Sequence, residues 1–270
     1  MPVEEVHPPP RVIEPTRNTV LLEVADLRLA YGSAVVVDGL NLAIRQGEIS
    51  GIVGANGAGK TTLLKGISGL LRKKAGKIGF RGQDITPLSP RKIVQAGIAQ
   101  VAEGHRVFRK MTVLENLRLG AYPKRTNAQE LKHTLEQVYT LFPMLKERAQ
   151  VRTGLLSGGQ QQMVAIGQAI MASPSLLLMD EPSAGLAPSV IDDLAGHLSD
   201  LRETGLTLLV VEQRTGFTRE IADRIWVMQR GSMIISDIPA EECTDEKLAS
   251  IFLGGSGDLR DLYRRGQVCG

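Results

Sequence analysis

Two adjacent carboxylates end an apolar run in the stretch LLLMDEP, where Asp180 and Glu181 follow four apolar residues. Like charges placed so close repel each other and resist transfer out of water. A buried strand that carries both of them to one place therefore needs a positive charge beside them. The pair predicts a cationic ligand, and its nature has to come from the rest of the chain.

A glycine-rich loop earlier in the chain indicates a phosphate-bearing ligand. The stretch GANGAGKTT lies between the apolar run ISGIVG and the helical pattern LLKGISGLL, which is the context that the pattern G-x-x-x-x-G-K-[ST] requires. Backbone N–H groups of such a loop surround phosphate oxygens, and the following helix adds the positive end of its dipole. The predicted ATP-binding residues of this loop are Gly54, Ala55, Asn56, Gly57, Ala58, Gly59, Lys60, Thr61 and Thr62.

Together the two motifs predict ATP and Mg²⁺ as ligands. Lys60 would reach the β- and γ-phosphates, and the Thr61 hydroxyl would ligate Mg²⁺. Asp180 would meet the metal directly or through water, while Glu181 would act as the base that polarises the attacking water. Each motif alone has a plainer explanation, a glycine-rich turn or a helix-capping Asp with a solvated neighbour. Their joint presence favours the nucleotide site.

The elements that must position these residues form an α/β pattern. Strand-like and helical stretches alternate in part, which predicts layers around a mainly parallel sheet. The nearly continuous apolar runs ISGIVG, GIAQV, LLLMD and LTLLVVE are expected to be its central strands. Helical periodicity predicts a helix that Pro143 ends and another before Gly205. Residues 102–173 show no further strand pattern, so we interpret them as a helical insert.

Composition sets weak limits on function. The chain has 270 residues, 43% of them hydrophobic, and a net charge of +3, which gives no indication of a nucleic-acid partner. Its two cysteines, Cys243 and Cys269, fit a reducing compartment, and no apolar run approaches the roughly 18 residues that span a bilayer. A cytoplasmic protein is therefore expected. Residues 1–18, rich in proline and charge, are predicted to be a disordered arm, and residues 254–270 a tail.

A third motif, LLSGGQQQM, stands between the glycine loop and LLLMDEP. In this order the three motifs resemble those of ABC-type ATPases. The resemblance implies a P-loop NTPase (RecA-like) core at residues 19–101 and 174–253, an ABC-type antiparallel β region and a helical signature subdomain at residues 102–173. It also implies two ATP molecules held between two head-to-tail domains. The residues that would face the partner's ATP are Leu156, Ser157, Gly158, Gly159 and Gln160.

Three further positions take their roles from the resemblance. Tyr31 occupies the place of the aromatic residue that stacks on adenine. Glu103 stands where the family usually has a Gln that contributes to Mg²⁺ binding, in a loop that responds to the membrane subunit. Gln213 replaces the usual histidine that contacts the γ-phosphate, and we count it with Glu181 as catalytic. Because an amide cannot become cationic, Gln213 predicts the slower site of an asymmetric pair with a histidine-bearing paralogue.

The stretches AEGHRVF, MTVLENL, SGGQQQMVAIG, DEPSAGLAP and VVEQ resemble the second ATPase subunit of branched-chain amino acid importers. This implies a peripheral subunit at the cytoplasmic face of the membrane that hydrolyses ATP. Its implied partners are two membrane-spanning permease subunits, a second ATPase subunit and, indirectly, an external solute-binding protein. An ABC ATPase acting on nucleic acid or ribosomes would show a coiled-coil insertion, a second ATPase domain or a markedly basic surface. A non-hydrolysing regulator would lack Glu181.

Overall fold

The computed structural model describes residues 19–104, 106–124 and 127–244. The predicted arm at residues 1–18, the end of the predicted core at 245–253 and the predicted tail at 254–270 lie outside these ranges. The strands are β1 (Val20–Tyr31), β2 (Ala34–Arg45), β3 (Ile49–Val53), β4 (Lys73–Phe80), β5 (Gln83–Asp84), β6 (Ile98–Val101), β7 (Leu176–Asp180), β8 (Thr207–Glu212), β9 (Arg224–Gln229) and β10 (Ser232–Pro239). The helices are α1 (Lys60–Ile67), α2 (Pro90–Ala96), α3 (Val113–Ala121), α4 (Ala128–Leu141), α5 (Pro143–Glu147), α6 (Gly158–Ile170), α7 (Pro188–Glu203) and α8 (Thr215–Ile221).

The larger sheet has six strands in the order β10, β9, β3, β8, β7, β6. The five strands from β9 to β6 run parallel, and β10 is antiparallel to β9. Every residue of β3, β7 and β8 is buried. Alternate residues of these strands contribute to two apolar clusters, one on each face of the sheet, which explains why their sequences are mainly apolar without alternation. The α/β fold with a mainly parallel sheet is confirmed.

One strand was placed wrongly from the sequence. The run GIAQV was expected to be a central strand, but as β6 it lies at the edge of the sheet and pairs with β7 alone. The run RIWVM, as β9, takes an interior place between β10 and β3. Helices α2 and α6 contact β6, so its side chains are buried without a second strand beside it. An unbroken run of apolar residues indicates that both faces of a strand are buried, but it does not indicate where the strand lies within the sheet.

A second sheet covers one face of the first. Its four strands follow the antiparallel order β2, β1, β4, β5, as the ABC-type antiparallel β region requires. Helix α1 lies between the sheets and contacts β1 and β2 on one side and β7 and β8 on the other. Strands β4 and β5 were not predicted from the sequence, because lysines and glycines interrupt the apolar pattern of β4 and β5 has only two residues.

The part of the chain expected to be a helical insert contains helices α3 to α6. Its only β pairing among the described residues is an isolated bridge between Thr112 and Arg152. Helix α4 ends at Leu141, just before Pro143, as predicted. Pro143 also begins α5, which was not predicted. The limits of the insert as a subdomain, 102–173, remain a prediction. None of the helices in the described ranges combines the length and the hydrophobicity needed to cross a bilayer.

Helices α3 and α6 of this part approach each other closely at a glycine. A Cβ atom at Gly120 would overlap the backbone carbonyl oxygen of Gln168. One turn away, a Cβ at Gly167 would lie 2.9 Å from the Leu117 side chain. Because carbonyl groups of a helix cannot move aside as a flexible side chain can, this crossing requires glycine.

Replacing Gly120 with alanine should therefore destabilise the protein. Overpacking of this kind costs about 1–3 kcal/mol of the free energy of unfolding. Gly196 is the matched control, because it lies within α7 and no atom would come within 4 Å of its added Cβ. There Gly196→Ala should stabilise by roughly 0.5–1 kcal/mol through the lower entropy of the unfolded chain. Urea unfolding of both variants measures the difference, and equal stabilities would refute the close crossing of α3 and α6.

Candidate nucleotide site

The glycine-rich loop begins where the buried strand β3 ends. The Gly54 N–H group donates to the backbone carbonyl of Glu212 at 3.3 Å, which fastens the start of the loop to the end of β8. The Ala58 N–H group donates to the carbonyl of Ala55 at 3.1 Å, which closes a turn. A Cβ atom at Gly54 would overlap the backbone of Met228, so the loop passes its neighbour too closely for any side chain there.

The end of the loop turns directly into helix α1. Gly57 and Gly59 have φ values of 79° and 106°, which a residue with a Cβ rarely adopts. Gly59 is the N-cap of α1, and no side chain caps the helix. The first N–H groups of α1 thus face the loop without a competing side chain, an arrangement that attracts phosphate.

Lys60 bends back over this loop. Its side chain is only 4% exposed, and its Nζ donates to the carbonyls of Gly54 at 2.7 Å and Ala55 at 3.2 Å. The same Nζ lies 3.1 Å from Oε1 of Glu181. The ammonium group therefore stands between the loop and the carboxylate that sequence analysis named as the base.

Asp180 lies at the end of β7, beside the start of α1. The Thr61 hydroxyl donates to Oδ1 of Asp180 at 3.0 Å. Asp180 is 3% exposed, and this burial raises the pKa of its carboxyl. The hydrogen bond from Thr61 lowers that pKa, while the charges of Glu103 and Glu181 raise it further. Glu103 follows β6, the neighbour of β7, so the sheet brings three carboxylates together.

This donor set fits Mg²⁺. A hydroxyl and carboxylates are hard oxygen ligands, and Mg²⁺ usually takes only one or two carboxylates, with water and substrate phosphates completing its octahedron. Among the residues that the structure describes, no three His, Cys, Asp or Glu side chains form a metal site by themselves. The protein thus supplies the partial site that a phosphate-bound cation completes.

Glu181 is held in an unusual backbone conformation. Its φ is 45°, in the left-handed region that costs a residue with a Cβ about 1–2 kcal/mol. Its N–H group donates to the carbonyl of Val211 at 2.9 Å, which holds the turn against β8. This turn separates the Glu181 side chain from that of Asp180, and such strain is typical of functional sites.

A second buried carboxylate was not recognised as part of this site from the sequence. Glu212, the last residue of β8, is 1% exposed, and its Oε1 accepts a hydrogen bond from the Ser183 N–H group at 2.9 Å. Burial raises the pKa of Glu212, and the charge of Glu181 raises it further. The signal was present, because LTLLVVE ends an apolar run in a carboxylate, as LLLMD does. Gln213, the next residue, is exposed.

Tyr31 belongs to a hairpin that passes close to the glycine-rich loop. It pairs with Ala34 at the end of the β1–β2 hairpin, and its side chain is 47% exposed. The backbone of Val36 in this hairpin passes within 3.3 Å of the position that a Cβ at Gly59 would occupy. The stacking of Tyr31 on adenine stays a prediction.

The signature stretch forms the start of α6. The Ser157 hydroxyl accepts from the Gln160 N–H group at 3.3 Å, and the Ser157 N–H group donates to Gln160 Oε1 at 3.1 Å, which is a capping box. In the described ranges the side-chain hydrogen bonds of Ser157 run to Gln160 and not to the glycine-rich loop. Ser157 and Gly158 are exposed, whereas Leu156 is buried and Gly159 packs against Val190.

Comparison with known proteins identifies the family. The profile of the ABC transporter family matches residues 37–184, more than half of the chain, and includes the glycine-rich loop, the signature stretch and both carboxylates at the end of β7. The chain belongs to the ABC transporter family. It is therefore an ATP-binding cassette that hydrolyses ATP, and the resemblance stated from its motifs is confirmed.

Two relatives come from Pseudomonas aeruginosa. The chain is 40% identical to the high-affinity branched-chain amino acid transport ATP-binding protein BraG over 83% of its own length and 96% of BraG. It is 29% identical to BraF, which has the same description, over 87% of its length and 98% of BraF. Among solved structures, the ADP conformation of an ATP-binding cassette of an ABC transporter matches with a TM-score of 0.78 and 29% identity, covering 87% of this chain and 99% of that one.

The electrostatics of this ABC cassette predict that the charge of Asp180 lowers the stability of the folded protein. Because burial raises the pKa of its carboxyl, the folded state retains this proton to a higher pH than the unfolded chain does. Stability is then lost as the pH rises from the unfolded pKa through the folded one. Asp180→Asn keeps the acceptor for Thr61 and removes the charge, so it should raise the melting temperature near pH 7, with a gain that shrinks toward low pH.

Asp84→Asn is the control of opposite sign. Hydrogen bonds from Thr86 lower the pKa of Asp84, so neutralising it should remove stability at neutral pH. Scanning calorimetry across pH, without nucleotide, measures both variants. A lower melting temperature of Asp180→Asn at neutral pH would contradict the electrostatic cost assigned to Asp180.

Proposed function

We propose that this chain is the ATP-hydrolysing subunit of an importer for branched-chain or related amino acids. The observation that carries the proposal is the likeness to BraG, which extends over nearly the whole of both proteins. The site contains the lysine, hydroxyl and carboxylates that ATP hydrolysis uses. A nucleic-acid or ribosome function has no comparable support, since the net charge is only +3.

We infer the following roles for the site residues. The loop at residues 54–62 and the first turn of α1 bind the phosphates, with Lys60 on the β- and γ-phosphates. Thr61, Asp180 and Glu103 hold Mg²⁺, which when bound neutralises charge on the phosphate oxygens. Glu181 accepts a proton from the attacking water, and the Lys60 ammonium group lies 3.1 Å from its Oε1.

The replacement of the usual Gln by Glu103 adds a negative charge beside Asp180. This charge raises the pKa of Asp180, so it increases the electrostatic demand of the site for a divalent cation. We infer that Glu103 strengthens Mg²⁺ binding and links it to the loop before α3. We also infer that Tyr31 stacks on adenine, as its exposed side chain permits.

Gln213 supports an asymmetric pair of ATPase subunits. An amide N–H can donate to the γ-phosphate, but it cannot supply the charge of an imidazolium, so this site is the slower of the two. Pseudomonas aeruginosa has two relatives with the same description, BraG and BraF, and the chain is more similar to BraG. We infer that the partner is a paralogue with a histidine at this position. The exposed signature residues Ser157 and Gly158 then bind the partner's ATP.

Two substitutions separate ATP binding from hydrolysis. Glu181→Gln removes the base, whose contribution is at least about 100-fold, and leaves the phosphate contacts in place. Lys60→Ala removes a charged hydrogen bond to phosphate worth about 1.5–3 kcal/mol, so ATP affinity should fall by a factor of about 10–100. ATP titration and phosphate release measure both. Hydrolysis by Glu181→Gln at the parent rate would show that Glu181 is not the base.

The transport proposal is tested with the intact complex. A tagged chain should co-purify from native membranes with two permease subunits and a second, histidine-bearing ATPase, located at the cytoplasmic face. Deletion of the gene should abolish uptake of labelled leucine, and a plasmid copy should restore it while a Glu181→Gln copy should not. Recovery of ribosomes or nucleic acid, or of a transporter that leaves amino acid uptake unchanged, would overturn the proposal.

A further inference from the structure

Glu212 is the most deeply buried carboxylate near the nucleotide site. It forms hydrogen bonds with three different segments of the chain. Its Oε1 accepts the Ser183 N–H group at 2.9 Å, and its backbone carbonyl accepts the Gly54 N–H group at 3.3 Å. The carboxylate also accepts a hydrogen bond from the backbone of Arg214. One residue thus joins the loop after β7, the phosphate loop and the start of α8.

These contacts explain why a hydrogen-bond acceptor is present at a position where its burial is costly. Burial in an apolar strand disfavours the ionised form and raises the pKa of Glu212, and the nearby Glu181 charge adds to that cost. The N–H groups of Ser183 and Arg214 favour the ionised form. The four residues before it in β8, at 208–211, are apolar and fully buried, so an apolar side chain would satisfy packing at this place. Packing alone therefore does not account for the carboxylate.

The two N–H donors flank the residues assigned to hydrolysis. Ser183 lies two residues after Glu181, in the turn that continues into α7, and Arg214 directly follows Gln213. A rigid acceptor between these donors fixes both turns relative to each other. Through its own carbonyl, the same residue fixes them relative to Gly54 and the phosphates that the loop binds.

We propose that Glu212 is a positioning residue for ATP hydrolysis, which holds the turns of Glu181 and Gln213 in register with the phosphate loop. It does not touch ATP. Its effect is on the alignment of the attacking water, and misplacement of a reacting group by about 1 Å can cost up to 100-fold in rate. This inference rests on the roles of Glu181 and Gln213 given under the proposed function.

Two conservative variants separate the position of the acceptor from its charge. Glu212→Gln keeps the length of the side chain and one acceptor oxygen but removes the charge. Glu212→Asp keeps the carboxylate but shortens the side chain by one methylene group, which moves the acceptor away from its donors. If position matters, kcat should fall about tenfold in Glu212→Asp and remain within about threefold of the parent in Glu212→Gln, with KM for ATP changed by less than about twofold in both.

The matched control is Glu48→Asp. Glu48 is a partly buried carboxylate whose pKa burial also raises, but it lies just before β3, at the opposite end of the strand from Gly54. The same shortening there should leave kcat and KM at the parent values. All assays use the full chain in the complex with which it co-purifies.

Hydrogen exchange provides a readout independent of catalysis. The Ser183 amide should exchange slowly in the parent and in Glu212→Gln, and faster in Glu212→Asp, while the amides of β3 and β7 keep their protection. Parental kcat in Glu212→Asp would overturn the proposal, as would a larger loss in Glu212→Gln, which would indicate a role of the charge. A rise in KM with loss of protection across the sheet would show a merely structural role and would also overturn it.

The experiments distinguish failure of the positioning role of Glu212 from failure of the catalytic role of Glu181. If Glu181→Gln hydrolyses ATP at the parent rate, the base is misassigned and Glu212 has no catalytic turn to position. If Glu181→Gln is inactive and Glu212→Asp is normal, the base assignment stands and only the positioning role fails.

Discussion

The hydrogen bonding between parallel strands β3, β8 and β7 is the constraint on which the site depends. The register of this pairing places Val53 opposite Glu212 and Asp180 opposite Val211, so the carboxyl ends of the three strands lie side by side. The phosphate loop follows the first of these ends, and the carboxylates stand at the other two. A slip of one residue in either pairing would turn Asp180 or Glu212 to the opposite face, because side chains alternate along a strand.

The site gathers more negative than positive charge. The charges of Glu103 and Glu181 act on Asp180, and the charge of Glu181 also acts on Glu212. In the described structure Lys60 is the cation that forms an ion pair with one of these carboxylates, Glu181. This excess of negative charge destabilises the carboxyl ends of the strands when no ligand is bound, and it favours binding of a divalent cation there. Backbone N–H groups from the loops relieve part of the excess at Glu212. Binding and stability are therefore opposed at the same residues.

Close backbone contacts set the geometry around the carboxyl ends of these strands. Gly54 passes against Met228, and Gly159 of the signature stretch packs against Val190 of α7, with room for no further side-chain atom at either place. The second contact connects the signature to the helix that follows Glu181. Displacement of either segment would have to move a helix or a strand, since packed interiors transmit strain instead of absorbing it.

Local features of this protein could be predicted from the sequence alone. The phosphate loop and the end of α4 before Pro143 follow from residues a few positions apart, because turns and helix breaks are decided by neighbours in the chain. The resemblance of three ordered motifs then identified the family. The roles of Tyr31 and the signature needed that resemblance and remain predictions, as do the limits of the helical insert.

Only the tertiary structure decided which residues meet across the chain. The edge position of β6, the strands β4 and β5 and the contacts of Glu212 with Ser183 and Gly54 all join segments far apart in sequence. Hydrophobic patterning records whether a strand is covered, but it carries no information on which strand lies beside it. The carboxylate of Glu212 was visible in the sequence as a charge ending an apolar run. What it holds could be read only from the packed sheet, because its partners are backbone N–H groups, which every residue except proline has.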